Sequence, residues 1–108
     1  MDMVKRFEVW NIELNPTMGY EINKIRPCFV VSPDEVNEYL KTVIIIPLTS
    51  TIKKYPTRID CKFRGKNGQI AIDQIRAVDT KRLIKKLGAI DIKTAKLLCQ
   101  NIEIMFKY

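Results

Sequence analysis

The stretch Gly19–Ser32, GYEINKIRPCFVVS, decides how the rest of the chain is read. Its polar half carries Glu21 and Lys24, and its apolar half, Pro27–Val31, reads as a buried strand. Arg26 stands at the junction. The proline after it biases Arg26 toward extended geometry, and Pro27, lacking an N–H, belongs at the first residue of a strand or on an edge. A guanidinium planted where a loop meets a buried strand is held by the fold, which suits a substrate with phosphates. The same placement would also suit a structural strand-end ion pair between Arg26 and Glu21.

Upstream, Phe7–Leu14 alternates from Trp10 onward and reads as a first strand, followed by loop chemistry at Asn15–Gly19. Downstream, Ser32-Pro33-Asp34-Glu35 has the order of an N-cap, a first-position proline and first-turn acids, predicting a short helix over Pro33–Tyr39. Thr42–Leu48, TVIIIPL, is β-branched and apolar, a second buried strand. It runs into a polar basic loop, Thr49–Thr57. Arg58–Phe63 alternates again, and Gly65-Lys66-Asn67-Gly68 supplies hairpin residues, with Asn-Gly suited to a tight turn of positive φ. In the returning strand, Gln69–Ala77, the apolar phase slips at Asp73-Gln74, consistent with a bulge or a strand end. Asp79–Arg82 has the pattern of a capped turn, and Lys86–Ile90 of a last short strand through Gly88. From Asp91, an N-cap, residues Ala95, Leu98, Cys99, Ile102, Met105 and Phe106 recur at helical spacing, predicting an amphipathic C-terminal helix packed on the sheet. About five or six short strands with one terminal helix imply a mainly β domain, a small and strongly bent sheet or barrel.

With 108 residues there is room for one core, and no linker or repeat divides it. The longest apolar runs, Val43–Leu48 and Pro27–Val31, are too short to span a bilayer. The N-terminus MDMVKRFEVW has no apolar signal region, so the expected location is the cytoplasm, with no membrane partner. Cys28, Cys61 and Cys99 are widely spaced and odd in number, neither a disulfide framework nor a zinc pattern, and they read as small apolar fillers. The chain has no histidine, which removes the commonest metal ligand and the commonest neutral-pH base. No metal or cofactor is expected. The net charge of +7 is lopsided: residues 1–40 hold four basic and seven acidic side chains, residues 41–108 fifteen basic and five acidic. Such a positive surface either attracts a polyanion or is simply a solvated face.

Taken together, GYE, IRPCFVVSP, PLTS, DQIRAVD and RLIKKLG resemble, in order and in spacing, the MazF/PemK toxins, the ribonuclease halves of type II toxin–antitoxin pairs. The resemblance implies an SH3-like barrel with a C-terminal helix and a homodimer. It further implies metal-independent, sequence-selective cleavage of single-stranded RNA, and a cognate antitoxin whose acidic tail occupies the RNA groove. The family's catalytic pair falls on Arg26 and Thr49. Glu21 matches an acidic position of the active-site loop, and Asp73 and Gln74 match a recurrent pair near the RNA, Asp73 aligning with a catalytic carboxylate of the PemK branch. Tyr20 and Ala71 depart from that branch, which has His and Arg there.

In RNA the neighbouring 2′-hydroxyl can attack phosphorus, so a protein need only align oxygens, stabilise the phosphorane and move two protons. Arg26 suits the charge role, since its fork pairs with two phosphoryl oxygens and holds its proton. Thr49 can donate its hydroxyl to a non-bridging oxygen, although it could equally cap its loop. Glu21 is the candidate base, or the group that orients Arg26. The RNA contacts expected are Lys24, Ser50, Lys53, Lys54, Tyr55, Asp73, Gln74 and Arg76, with Asp73 and Arg76 alternatively a surface pair. Two rivals remain on the same fold: a gyrase poison like CcdB, which has no use for the Arg–Thr pair, and a catalytically inactive RNA-binding module.

Overall fold

The apolar run that opens at Pro27 becomes strand β2 (Ile25–Val30), and it is unbroken because both of its faces are covered. Cys28 and Val30 join Ile12, Leu14, Val43, Ile45, Val78 and Leu83 in one apolar cluster. Phe29 and Val31 join Val9, Ile46, Ile59, Ile70, Ile72 and Leu98 in another. A strand buried on both faces reads as a continuous hydrophobic run rather than an alternation. Each large side chain so covered contributes on the order of 1.5–3 kcal/mol.

The computed structural model describes residues 3–108. Around β2 lie β1 (Glu8–Glu13), a six-residue helix α1 (Asp34–Tyr39), β3 (Thr42–Thr49), β4 (Arg58–Phe63), β5 (Lys66–Ala71), β6 (Arg76–Asp79), β7 (Leu83–Ala89) and the C-terminal helix α2 (Ile92–Phe106). The described residues thus form seven strands, more than the sequence pattern suggested. All pairings are antiparallel, in the order β4-β5-β3-β2-β1-β7, with β6 on β3. Strand β3 is the hub. One edge pairs with β2 through Cys28↔Pro47 to Val30↔Ile45. The other is shared, Thr42–Ile45 with β6 and Leu48–Thr49 with β5.

The extra strand comes from the phase slip at Asp73-Gln74. A 3-10 turn, Ile72–Gln74, ends β5 there and starts the chain into β6, so one apparent returning strand is two. The hairpin turn also differs from expectation. The register Phe63↔Lys66 leaves Arg64 and Gly65 as a two-residue turn, with φ of 52° and 79°. Positive φ at both positions is the type I′ geometry that matches strand twist, so Asn67-Gly68 lies inside β5.

Ser32 does not cap α1. Pro33 takes the cap position without a side-chain bond. Buried Ser32 instead donates its hydroxyl to Asn37 Oδ1 at 2.5 Å and accepts from the Ile44 amide at 3.0 Å, sewing α1 to β3. Asp91 does cap α2, accepting from the Thr94 amide at 3.1 Å and the Thr94 hydroxyl at 2.6 Å. The helix packs through Ala95 and Leu98, with Cys99 and Ile102 half-buried. Met105 and Phe106, expected in that face, are 39% and 64% exposed, because the last turn of the helix lies beyond the buried clusters.

Glu8 is buried at the start of β1, accepting from the Lys5 amide at 2.8 Å and the Trp10 indole at 3.1 Å, with Lys86 Nζ at 2.7 Å. Burial pushes its pKa up, but the Lys5 amide, Lys86 and Trp10 together outweigh this and hold it below 4.5. A carboxyl depressed in the folded state contributes stability that is present above its unfolded pKa and lost as pH falls through the folded one. Glu8→Gln should therefore be less stable at pH 7 by about 1–2 kcal/mol. Its urea midpoint should also fall less steeply than wild type below about pH 4.5. Parallel acid profiles for the two proteins would contradict this role.

Candidate nucleic-acid groove

Arg26 leaves β2 and Thr49 ends β3, and both line a groove of about 330 Å3 together with Ser50, whose other side is the β4–β5 turn. Arg26 is half-buried, and its Nε donates to the Asn23 carbonyl at 3.0 Å, which steadies the guanidinium while leaving its terminal nitrogens for a ligand. Thr49 Oγ1 accepts from the Thr51 amide at 3.1 Å, so the hydroxyl proton stays available to donate. Its position is set from behind by Gly68: a Cβ built there would lie 2.7 Å from the Thr49 carbonyl oxygen.

Glu21 is elsewhere. Its carboxylate accepts from the Met18 amide at 2.5 Å and closes the 18–21 turn. It lines a second depression, of about 210 Å3, with Asp73, Gln74 and Arg76. The ion pairs among the described residues are Arg58–Asp73 and Lys86–Glu8, so the structural pairing of Glu21 with Arg26 is not made, nor that of Asp73 with Arg76. Asp73 instead takes a fork from Arg58, at 2.8 and 3.2 Å, and the Thr57 hydroxyl at 2.9 Å. Burial raises its pKa, yet these bonds prevail and hold it below 3.8. An acid so held accepts a proton poorly at neutral pH. Arg76 donates to the Leu14 carbonyl at 3.1 Å.

Two glutamines fix the loops beside the groove. Gln74 accepts from the Ile22 amide at 3.1 Å and donates to the Tyr20 carbonyl at 3.3 Å, tying down the β1–β2 loop. Gln69, buried, accepts from the Lys53 amide at 3.0 Å and donates to the Lys53 carbonyl at 3.1 Å, doing the same for the β3–β4 loop. Lys53 and Lys54 are exposed on that loop, outside the lining of the groove, and Tyr55 lies under Arg58 with the guanidinium 5.2 Å from its ring centre. Lys24 is exposed in left-handed backbone, φ 65°. Tyr20 is fully exposed and Ala71 fully buried.

Sequence reasoning missed Gln69 and the groove's far wall, Arg64, Lys66 and Asn67. The signal present was the pair of cations flanking Gly65, which the turn pattern masked.

Residues 5–106 match the family described as PemK-like, MazF-like toxin of type II toxin–antitoxin system. The chain belongs to this family. A relative from Staphylococcus saprophyticus, Endoribonuclease MazF, is 33% identical over 94% of this chain and 90% of its own. MazF from Deinococcus radiodurans has the same fold, with a TM-score of 0.87, 20% identity and full coverage of both chains. So does a mycobacterial endoribonuclease solved with its cognate antitoxin, TM-score 0.80, 18% identity, covering 97% of this chain and 98% of that one. The fold of a MazF toxin therefore positions Arg26 and Thr49 on one groove.

Gly68→Ala should destabilise the protein by about 1–3 kcal/mol, since the Thr49 backbone must move to admit the methyl. The urea midpoint reports it. A midpoint equal to wild type would mean that β5 yields without disturbing Thr49.

Proposed function

We propose that the chain is the endoribonuclease toxin of a type II toxin–antitoxin pair, cutting single-stranded RNA at selected sequences without a metal. Family membership and a relative called Endoribonuclease MazF support the activity. The observation that carries the assignment to residues is that Arg26 and Thr49, from neighbouring strands, face one groove with hydrogen-bonding capacity left over. The residues lining that groove include no carboxylate, the side chain through which proteins most often hold a hard divalent cation.

The 2′-hydroxyl attacks the adjacent phosphorus and loses its proton, while the bond to the 5′ oxygen breaks and that oxygen gains one. The products are a 2′,3′-cyclic phosphate and a 5′-hydroxyl end. Arg26 pairs with the non-bridging oxygens as charge builds on the phosphorane, and Thr49 donates to one of them. Glu21, which lines the neighbouring depression with Asp73, Gln74 and Arg76, is the base or the group orienting Arg26. Lys24, Ser50, Lys53, Lys54, Tyr55, Asp73, Gln74 and Arg76 border the bound strand, Asp73 by holding Arg58 and Tyr55 in place. The partners are RNA, an antitoxin with an acidic tail that competes for the cationic groove, and a second copy of the chain. Exposed Leu97, Ile104 and Phe106 on α2 offer apolar surface to that copy. We read residues 1–108 as one toxin domain working in the cytoplasm; among the described residues no helix is long and apolar enough to cross a membrane. The gyrase-directed reading is not favoured, because the Arg26–Thr49 pair would have no task in it.

Purified protein incubated in EDTA with a long unstructured RNA should give discrete 5′ ends sharing a short motif. Arg26→Ala should lower the cleavage rate by at least about 10²–10³-fold while weakening RNA binding only moderately. An active Arg26→Ala protein would remove Arg26 from the chemistry, and loss of activity in EDTA would mean a metal is needed.

A further inference from the structure

We propose that the β4–β5 turn is a second phosphate clamp, in which Arg64 and Lys66 hold backbone phosphates flanking the one cut at Arg26. This rests on the nuclease reading above. The groove that Arg26 and Thr49 line on one side is lined on the other by Arg64, Lys66 and Asn67. One phosphodiester carries one negative charge, whereas three cations converge here, and the lining holds no acid to neutralise them. Among the described residues, neither Arg64 nor Lys66 makes a side-chain hydrogen bond or an ion pair, in contrast to Arg58, Arg76 and Arg82, each of which is engaged by protein oxygens.

The backbone that carries the two cations is also held in position. Arg64 occupies left-handed backbone, φ 52°, in a two-residue turn whose register is fixed on both sides by Phe63↔Lys66 and Lys62↔Asn67. Behind Lys66, β5 is locked against β3 by the Gly68–Thr49 approach, so the far wall and the catalytic threonine share one rigid support. Phosphate contacts position a strand without reading its sequence. The clamp therefore governs affinity and register of the RNA, and leaves the chemical step to Arg26 and Thr49.

The test uses the full chain as wild type, an Arg64→Asn/Lys66→Gln double variant, and a control, Lys93→Gln, which removes an exposed cation on α2. Asparagine tolerates the positive φ at position 64, and circular dichroism with the urea midpoint verifies folding. Binding of a pool of random-sequence single-stranded 2′-O-methyl RNA oligonucleotides, which lack the attacking hydroxyl, is measured across salt concentrations. The double variant should flatten the slope of log K against log salt by about 1.4, two contacts at about 0.7 each, and the control should not. On cleavable RNA it should raise KM about tenfold or more with kcat little changed. An unchanged slope, or an equal effect of Lys93→Gln, overturns the clamp while leaving the nuclease reading intact. Wild-type protein that binds the pool but leaves cleavable RNA whole overturns the nuclease reading alone. Wild-type protein that fails to bind overturns both.

Discussion

Strand β3 is hydrogen-bonded along one edge to β2 and along the other to two strands in turn, and the rest of the molecule depends on where that second edge changes hands. Residues Thr42–Ile45 belong to β6 and Leu48–Thr49 to β5. Pro47, which has no N–H to donate, falls in the gap between them. The change of partner brings β5 and the β4–β5 turn to the end of β3, where together they line the groove. Thr49 sits at the last paired position, with Gln69 opposite it and Gly68 against its carbonyl. A groove built on a strand end in this way holds its polar groups on rigid backbone, which is what stabilising a transient charge demands.

The loops on either side are long enough to wander, and in each an amide side chain helps restrain the backbone. Gln74 reaches from the 3-10 turn to two backbone groups of the β1–β2 loop, and Gln69 reaches from β5 to both backbone groups of Lys53. An amide serves here better than a charge, because it donates and accepts at once and can be buried at lower cost when both functions are met. Both glutamines bond to loop backbone, and Gln69 donates in addition to Asp60 Oδ1 at 3.0 Å. For Gln74, next to Asp73, these bonds are a structural task in the loop.

What could be read from the chain follows from how local each signal is. The double-sided burial of β2, the cap at Asp91 and the position of Arg26 before Pro27 are written within a few residues, and the structure has them where the pattern placed them. The Ser32 and hairpin readings failed because partners distant in sequence claimed those residues. Ser32 was claimed by Asn37 and Ile44, the latter twelve residues away, and Gly68 was required small by Thr49 rather than by a turn. The company Asp73 keeps was invisible, since Arg58 lies fifteen residues off and meets it only because β4 pairs with β5. Likewise Glu21, close to Arg26 in sequence, ends in a different depression, because the loop between them turns through left-handed backbone at Lys24.

The acidic first third of the chain is at odds with a polyanion-binding protein only until its carboxylates are followed to their partners. Glu8 takes the Lys5 amide, Glu13 the Asn15 amide, Glu21 the Met18 amide and Asp34 the Arg6 amide. Each satisfies a backbone donor at a strand end, loop or turn, where it supports local structure. Their positions keep all of them out of the groove that Arg26, Arg64 and Lys66 line. The lopsided charge is thus in part a division of labour: four of the seven carboxylates among residues 1–40 are tied to backbone amides. The groove's walls carry Arg26, bonded once to the Asn23 carbonyl, and Arg64 and Lys66, which make no side-chain hydrogen bond or ion pair among the described residues. In a groove so arranged, a bound phosphate meets attraction from both sides, and the field is already in place before any charge develops on it.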